Sequence, residues 1–261
     1  MRLLLVVVLL ALVCRWGVAQ VGPRYVIELP GGAAMASAQG HVQLAGKGLV
    51  LIRFQGLSIL TVDAEADAYS AEAVQGWPAA DLLMLLPPGA GRYDGVAPLR
   101  GLRDGVPVVV AEAAGRDAED VVGVAAGAGA ATVGATAAAA ASSDAPRPAG
   151  PTLYPLQPWN TLDLRKHGTR LRVTAMPGAP GTLAVAGYLL EMGNNRSSYR
   201  LYAGGADDEA AVLAQRLPGA DVALLPGRAG PHLLALNRGA PAKTGPAALT
   251  AAGYAFTALK R

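Results

Sequence analysis

The strongest constraint on the fold is a series of short apolar runs that are separated by turn-forming residues. Residues 49–54 and 57–62 are two such runs, and only Gln55 and Gly56 lie between them. Apolar, β-branched runs of this length, joined by two residues that end in glycine, are typical of a β-hairpin. The chain is therefore expected to build sheets from hairpins.

The same pattern recurs along the whole chain and predicts alternating strands and helices. Further strands are predicted at residues 25–29, 41–44, 81–86, 106–111, 161–164, 170–175, 187–192, 199–203, 221–225 and 254–259. Helices are predicted at residues 63–75, 98–103, 116–124, 207–217 and 244–252. Because hairpins followed by strand and helix alternation occur twice, we predict an α/β fold of two similar halves.

The length and composition are those of a globular chain. The chain has 261 residues, of which 52% are hydrophobic, so it can bury a sizeable core and is neither disordered nor collagen-like. Residues 113–151 are rich in Ala, Gly and Pro and read as an insert. This stretch contains neither G-x-x-x-x-G-K-[ST] nor G-x-G-x-x-G, so it is assigned no nucleotide-binding role.

The first nineteen residues have the pattern of an export signal. Arg2 precedes an apolar run over residues 3–13 that is too short to cross a bilayer, and Gly17 and Ala19 suit cleavage before Gln20. We therefore predict a signal peptide at 1–19, a single domain at 20–261, and a periplasmic or secreted protein. Lipidation at Cys14 is the alternative, although Val13 stands where a small residue is preferred.

Cleavage would leave a nearly neutral chain without cysteine. The whole chain has 22 Lys and Arg against 19 Asp and Glu, and loss of Arg2 and Arg15 lowers the first number to 22 − 2 = 20. This balance gives no support for nucleic-acid binding, and no membrane span is expected in the mature chain. The only cysteine, Cys14, would leave with the signal, so no disulfide or thiolate is expected.

Four stretches together resemble a known family. They are LVLIRFQGLSILTVD at 49–63, DLLMLLPPGAGRYDGVAPLRGL at 81–102, LQPWNTLDLRKHGTRLRVTAMPG at 156–178, and YRLYAGGADDE followed by LPGADVALLPG at 199–227. Their order and spacing resemble the metallo-β-lactamase superfamily, in particular its branch related to ascorbate-6-phosphate lactonase. The resemblance implies a four-layer αββα sandwich with metals bound by loops at one edge of the paired sheets.

The resemblance also implies metal ligands that this chain lacks. In the family, an H-x-H-x-D-H loop follows the strand at 81–86, because two divalent ions need imidazoles and carboxylates on a rigid turn. In register, this chain has Pro87, Gly89, Gly91 and Arg92. None of these side chains offers a neutral nitrogen or an anionic oxygen to a metal.

The remaining ligand positions are equally changed. A histidine is expected after a phrase such as AMPG, but residues 175–178 are followed by Ala-Pro-Gly. The bridging aspartate of a G-D-T phrase is replaced by Gly205, and a G-H-A or G-N-A phrase by Gly46-Lys47-Gly48. We therefore expect no metal and no other cofactor.

Other constellations offer only weak replacements. The three histidines, His41, His167 and His232, lie far apart in the sequence, and we interpret them as a strand-surface, a turn and a loop residue. Two acidic groups could hold a hard cation at the old site, but they read more simply as a loop and a helix cap. These groups are Asp63, Glu65 and Asp67, and Asp207, Asp208 and Glu209. No G-x-S-x-G nucleophile motif is present.

The sequence therefore predicts a pseudoenzyme that binds a small molecule or acts as a scaffold. No catalytic residue is assigned. The candidate pocket-lining residues are Lys47, Asp63, Arg92, Asp94, Asp207 and Asp208. The two cations favour an anionic small molecule as ligand. The alternatives are a divergent hydrolase of the lactonase, esterase or phosphodiesterase type, with or without metal, and a structural subunit with an unknown protein partner.

Overall fold

A computed structural model describes residues 23–30, 39–63, 69–87, 97–112, 150–178, 184–194, 197–204, 220–227, 230–236 and 247–260. These residues form sixteen β-strands and two short 3₁₀ helices, Ala73–Gly76 and Ala97–Gly101. The strands are β1 (Tyr25–Glu28), β2 (Gln39–Gly46), β3 (Leu49–Phe54), β4 (Leu57–Asp63), β5 (Leu82–Leu86), β6 (Pro107–Ala111), β7 (Thr152–Leu156), β8 (Thr161–Lys166), β9 (Thr169–Pro177), β10 (Val185–Gly193), β11 (Ser197–Gly204), β12 (Val222–Leu225), β13 (His232–Ala235), β14 (Ala247–Ala248), β15 (Tyr254–Thr257) and β16 (Leu259–Lys260).

The first sheet, sheet I, has the strand order β15-β2-β3-β4-β5-β6-β7. Strands β15, β2, β3 and β4 are antiparallel, whereas β4, β5, β6 and β7 are parallel. The β3–β4 turn consists of Gln55 and Gly56, whose φ angles are 48° and 78°. Two successive left-handed residues match the twist of the flanking strands, which explains the tight hairpin.

The second sheet, sheet II, has the order β1-β8-β9-β10-β11-β12-β13-β14, and β16 pairs with the start of β11. Its β8–β9 turn is built like the first, from His167 and Gly168 at φ angles of 52° and 78°. Strands β8 to β11 are antiparallel, and β12 runs parallel to β11. Both sheets therefore contain a hairpin that is followed by a parallel strand.

The first strand of the chain belongs to sheet II, and one of its last strands belongs to sheet I. Strand β1 comes first in the chain but pairs with β8 of sheet II, and β15 comes late but pairs with β2 of sheet I. Because β16 pairs with β11, residues 254–260 touch both sheets. Within this segment, Phe256 stacks on Phe54 and on Tyr199, at centroid distances of 5.8 and 4.2 Å. The C-terminal segment thus joins the two sheets.

The inner faces of the two sheets form the main core. Buried side chains of β3, β4 and β5 pack in one cluster with those of β8 to β12. At the hairpin end, the Nζ of Lys166 in sheet II lies 2.7 and 2.8 Å from the carboxylate oxygens of Asp81 in sheet I. Ser58 donates to the same carboxylate through its amide and its hydroxyl. An apolar core and a half-buried ion pair therefore hold the sheets together.

The predicted four-layer αββα sandwich is wrong for this structure, which is mostly β with two mixed sheets. The described residues contain no α-helix. In the described parts of the predicted helices, residues 69–75 and 98–103 form only the two 3₁₀ helices, and residues 247–252 form the short strand β14 and a turn. The predicted helix at 98–103 has only six residues and contains Gly101, so it is too short to offset the cost of helix nucleation. Residues 116–124 and 207–217 lie outside the described residues.

The predicted strands are confirmed, with differences at four places, of which β14 is the first. The run at 254–259 is divided into β15 and β16. Strands β7 and β13 were not predicted, and His232, expected in a loop, begins β13. The predicted signal peptide and residues 113–149 of the predicted insert lie outside the described residues. Among the described helices, none has the length and apolar character needed to cross a membrane.

Candidate functional site

The carboxyl ends of parallel strands from both sheets meet at one pocket. In sheet I, β4 ends at Asp63 and its parallel neighbour β5 ends at Leu86. In sheet II, β11 ends at Gly204 and its parallel neighbour β12 ends at Leu225. All four residues line the same pocket. Ligands commonly bind at the carboxyl ends of parallel strands, so the topology alone makes this edge a candidate site.

The β2–β3 turn places a cation at this edge. Lys47 lies between Gly46 and Gly48, and Gly48 has a φ angle of 69°, which a residue with a Cβ rarely adopts. The amide of Asp63 donates to the carbonyl oxygen of Gly48 at 2.8 Å. This hydrogen bond ties the turn to the end of β4, so Lys47 and Asp63 both line the pocket.

The pocket has an apolar interior and a polar rim. Its volume is about 410 Å³, and Val50, Leu86 and Leu224 contribute apolar walls from both sheets. Thr61 is the buried polar residue of the lining, with 1% of its surface exposed, and its hydroxyl donates to the carbonyl oxygen of Val50 at 3.3 Å. This size and this mixture of walls are those of pockets that bind small molecules.

The opposite rim is the loop between β12 and β13. Gly227 and Gly230 both line the pocket, and the amide of Gly230 donates to the carbonyl oxygen of Gly227 at 2.9 Å. A Cβ at Gly227 would lie 2.8 Å from the carbonyl oxygen of Gly230 and 3.0 Å from Nδ1 of His232. The close approach therefore requires glycine at position 227.

The structure brings together two of the six predicted pocket residues. Lys47 and Asp63 line the pocket, whereas Arg92, Asp94, Asp207 and Asp208 lie outside the described residues. Sequence reasoning missed Thr61 and the β12–β13 loop. A hydroxyl within a mostly apolar strand and two glycines next to prolines were the available signals.

The residues at this edge do not fit the two-metal centre that the family resemblance implies. Among the described residues of the lining, Asp63 supplies the carboxylate and Lys47 adds a positive charge. No group of three or more His, Cys, Asp or Glu within the described residues could hold a metal ion. Pro87 follows β5 directly, so the first position expected to carry a ligand has no donor atom on its side chain. Positions 89, 91, 92 and 205 lie outside the described residues.

The strand that precedes the missing third histidine ends at the same side of sheet II. Pro177 of β9 pairs with Val185 of β10, and Gly204 of β11 pairs with Gly187 of β10. Strands β9 and β11 therefore run in the same direction and end on the pocket side of the sheet. Here too the chain has proline and glycine, Pro177 and Gly178, directly before the place where the family resemblance implies a histidine.

Comparison with known proteins gives matches among solved structures alone. No protein-family model matches the chain, and no curated protein matches it. MEM-A1, a subclass B3 metallo-β-lactamase isolated from a soil metagenome library, is similar at a TM-score of 0.38 and 12% identity, over 78% of this chain and 79% of that chain. The metallo-β-lactamase fold protein YhfI from Bacillus subtilis is similar at 0.34 and 14%, over 72% and 70%.

A third similar structure is the first B3 metallo-β-lactamase with an active-site glutamic acid, at a TM-score of 0.36 and 15% identity, over 74% of this chain and 77% of that chain. None of the three is described as an ascorbate-6-phosphate lactonase, so that branch stays a prediction. At these identities the likeness carries no activity over to this chain. These three similar structures are all metallo-β-lactamases or metallo-β-lactamase fold proteins.

Proposed function

We propose that this protein is an exported small-molecule-binding protein, related to metallo-β-lactamase fold enzymes but without their two-metal centre. One observation carries the proposal. The pocket at the joined strand ends has the size of a ligand site, while the chain has Pro87 and, in register, glycines where the family's metal ligands would stand. The described residues keep a place for a ligand, and they contain no group of three metal-ligating side chains that would activate water there.

The chemistry of the lining favours a ligand with an anionic group and an apolar body. Lys47 supplies a positive charge at the rim, and Val50 and Leu224 supply apolar walls below it. Asp63 on the same rim repels a second negative charge and can accept a hydrogen bond from a ligand hydroxyl or amine. A small monoanion that carries a hydrogen-bond donor fits this arrangement.

A binding screen with carboxylated and phosphorylated metabolites tests the proposal. Compounds that raise the melting temperature are then measured by calorimetry on the wild type and on Lys47→Ala. A charge-assisted hydrogen bond contributes about 1.5–3 kcal/mol, so we expect an affinity loss of about 10- to 100-fold. Lys260→Ala, on the exposed strand β16, is the matched control and should leave the affinity unchanged. Absence of any ligand, or equal affinity in Lys47→Ala, would contradict the proposal.

Metal content separates this function from a hydrolase. We expect elemental analysis of the purified protein to find no stoichiometric zinc, iron or manganese, and assays with lactones, esters and phosphodiesters to show no turnover. A stoichiometric metal, or turnover that a chelator abolishes, would overturn the binding-protein proposal and establish the hydrolase alternative.

Export has a separate test. The signal-like pattern of residues 1–19 supports it. Mass spectrometry of the protein from its native host should find a chain that begins at Gln20 or its cyclised form. An intact Met1 in the soluble cytoplasmic fraction would refute export without affecting the proposed ligand binding.

A further inference from the structure

A row of alternating charges crosses the outer face of sheet II. Strand pairing places Asp163 of β8 beside Arg172 of β9, Arg172 beside Glu191 of β10, and Glu191 beside Arg200 of β11. Their neighbours along the strands belong to the inner core, so these four side chains point away from it. The outer face of this half of sheet II is therefore built from charged side chains.

Asp163 holds two arginines on this face. Its side chain is 1% exposed, and Oδ1 accepts a hydrogen bond from Nε of Arg172 at 2.9 Å. Oδ2 accepts from Nη2 of both Arg172 and Arg170. Burial by itself raises the pKa of Asp163, but the hydrogen bonds and charges of Arg172 and Arg170 outweigh it and lower this pKa. The aspartate is therefore ionised and fixes two guanidinium groups side by side.

A glycine opens a depression next to these guanidinium groups. Gly193 lies between Arg170 and Ser198 in the strand pairing, and it leaves a space of about 190 Å³. Arg170, Arg172, Glu191, Asn194 and Ser198 line the rest of it. A Cβ at position 193 would lie 2.3 Å from the carbonyl oxygen of Ser197, so a side chain there is not tolerated.

The charges around the depression leave a positive excess. Glu191 accepts from Nη2 of Arg200 at 3.1 Å, which balances that pair. Asp163 balances one of the two arginines that it binds. Three arginines in total therefore face two carboxylates, which leaves a net charge of +1 around the depression. Arg170 uses one of its five donors on Asp163, and its side chain is 46% exposed. The remaining donors face the depression or solvent.

We propose that this depression is a binding site for a small oxyanion group, a carboxylate or a phosphate, on a ligand that also carries a hydrogen-bond donor. Arg170 and Arg172 bind the oxyanion, because guanidinium groups match carboxylate and phosphate geometry and are held in place before the ligand arrives. The hydroxyl of Ser198 adds a donor, and Glu191 accepts from the ligand. This site lies on the outer face of sheet II, apart from the pocket at the strand ends, and does not depend on its function.

Titration of the full chain with inorganic phosphate and, separately, with acetate tests the site. Melting temperatures are measured at constant ionic strength with chloride as the balancing anion. We expect the melting temperature to rise saturably with at least one of the two anions. The anion that binds more tightly identifies the oxyanion group of the ligand. Arg170→Gln should weaken the apparent affinity at least about tenfold, the loss of one charge-assisted contact. Glu191→Gln should strengthen acetate binding, because acetate has no hydrogen-bond donor for Glu191 and a repulsive charge is removed.

Arg165→Gln is the matched control for this titration. Arg165 lies beside Arg170 on the same face but is 55% exposed and pairs with Glu28. The control should retain the saturable rise, whereas general stabilisation by salt would act equally on all variants. No saturable response to either anion, or an unchanged response in folded Arg170→Gln, would overturn the proposal. Circular dichroism establishes that each variant is folded.

Discussion

Replacing Phe256 with alanine tests how the C-terminal segment joins the two sheets. The ring is 4% exposed and lies between Phe54 of sheet I and Tyr199 of sheet II. Removal of a buried phenylalanine ring costs about 3–5 kcal/mol. Because two stacked pairs are lost together, we expect the upper part of this range, about 4–5 kcal/mol.

This loss is large compared with the stability of a typical domain. Native proteins are stable by about 5–15 kcal/mol, so the variant loses about a quarter or more of a usual value. A chain of this length loses about 2–4 °C for each kcal/mol, which predicts a fall in melting temperature of about 8–20 °C.

Urea unfolding followed by tryptophan fluorescence and circular dichroism measures this effect. The unfolding midpoint should fall while both probes report the same transition. Thr257→Ala is the matched control, because Thr257 is exposed on the same strand, and it should change stability by less than about 0.5 kcal/mol. If Phe256→Ala unfolds at the same urea concentration as Thr257→Ala, the segment does not join the sheets as described.

Three further substitutions test contacts elsewhere in the sandwich. A Cβ at Gly40 would lie 2.1 Å from Cζ of Phe256, so Gly40→Ala should lower the free energy of unfolding by about 1–3 kcal/mol in the wild type and by much less in the Phe256→Ala variant. If the two losses simply add in the double variant, the contact is contradicted. The pKa of Asp163 lies below its ordinary value of 3.8, so its stabilisation is present above about pH 4 and is lost as pH falls through the lowered pKa. Asp163→Asn should therefore destabilise the protein by about 2–4 kcal/mol at neutral pH and flatten the acid side of a stability profile measured in urea; an unchanged acid side would refute this. Lys166→Met should lower stability by about 1–2 kcal/mol, with a smaller difference in 1 M salt, whereas equal urea midpoints in wild type and variant would show that its pairing with Asp81 contributes little.

The strands were predictable because their signals are local. Gln55-Gly56 and His167-Gly168 join apolar runs, and both pairs adopt the left-handed turn that such dipeptides favour. Strand β7 was missed because Pro155 argues against a strand. Its position at the edge of sheet I removes that objection, since an edge residue need not donate to a neighbour.

The helices were less predictable because their existence depends on length and surroundings. Residues 97–101 have apolar spacing that suits a helix, yet they form only a 3₁₀ helix. This helix packs Leu99 against the outer face of sheet I. The 3₁₀ helix ends at Gly101, and Gly105 follows four residues later. The segment buries Pro98 and Leu99, which the sequence by itself does not reveal.

For the candidate sites, too, the sequence revealed the residues with local signals and missed those that only strand pairing brings together. Lys47 was found because it stands where the resembled family has a G-H-A or G-N-A phrase, and Asp63 because it directly follows a run that predicts a strand. The row that includes Asp163 and Arg172 was missed, because its residues become neighbours only through strand register. The sequence contains the charges, but pairing across β8 and β9 decides which of them meet.

The exchange of β1 and β15 between the sheets has a consequence for how the chain folds. Neither sheet can acquire its full set of strands from one contiguous part of the sequence, because Tyr25 must reach Leu162 and Tyr254 must reach Val42. Closing such long loops is entropically costly before any contact rewards it, so folding should be slow, on the order of milliseconds to seconds or longer. Until both terminal strands have docked, partly folded molecules expose sheet edges with unpaired backbone N–H and C=O groups. We therefore expect the protein to be most prone to self-association during this period.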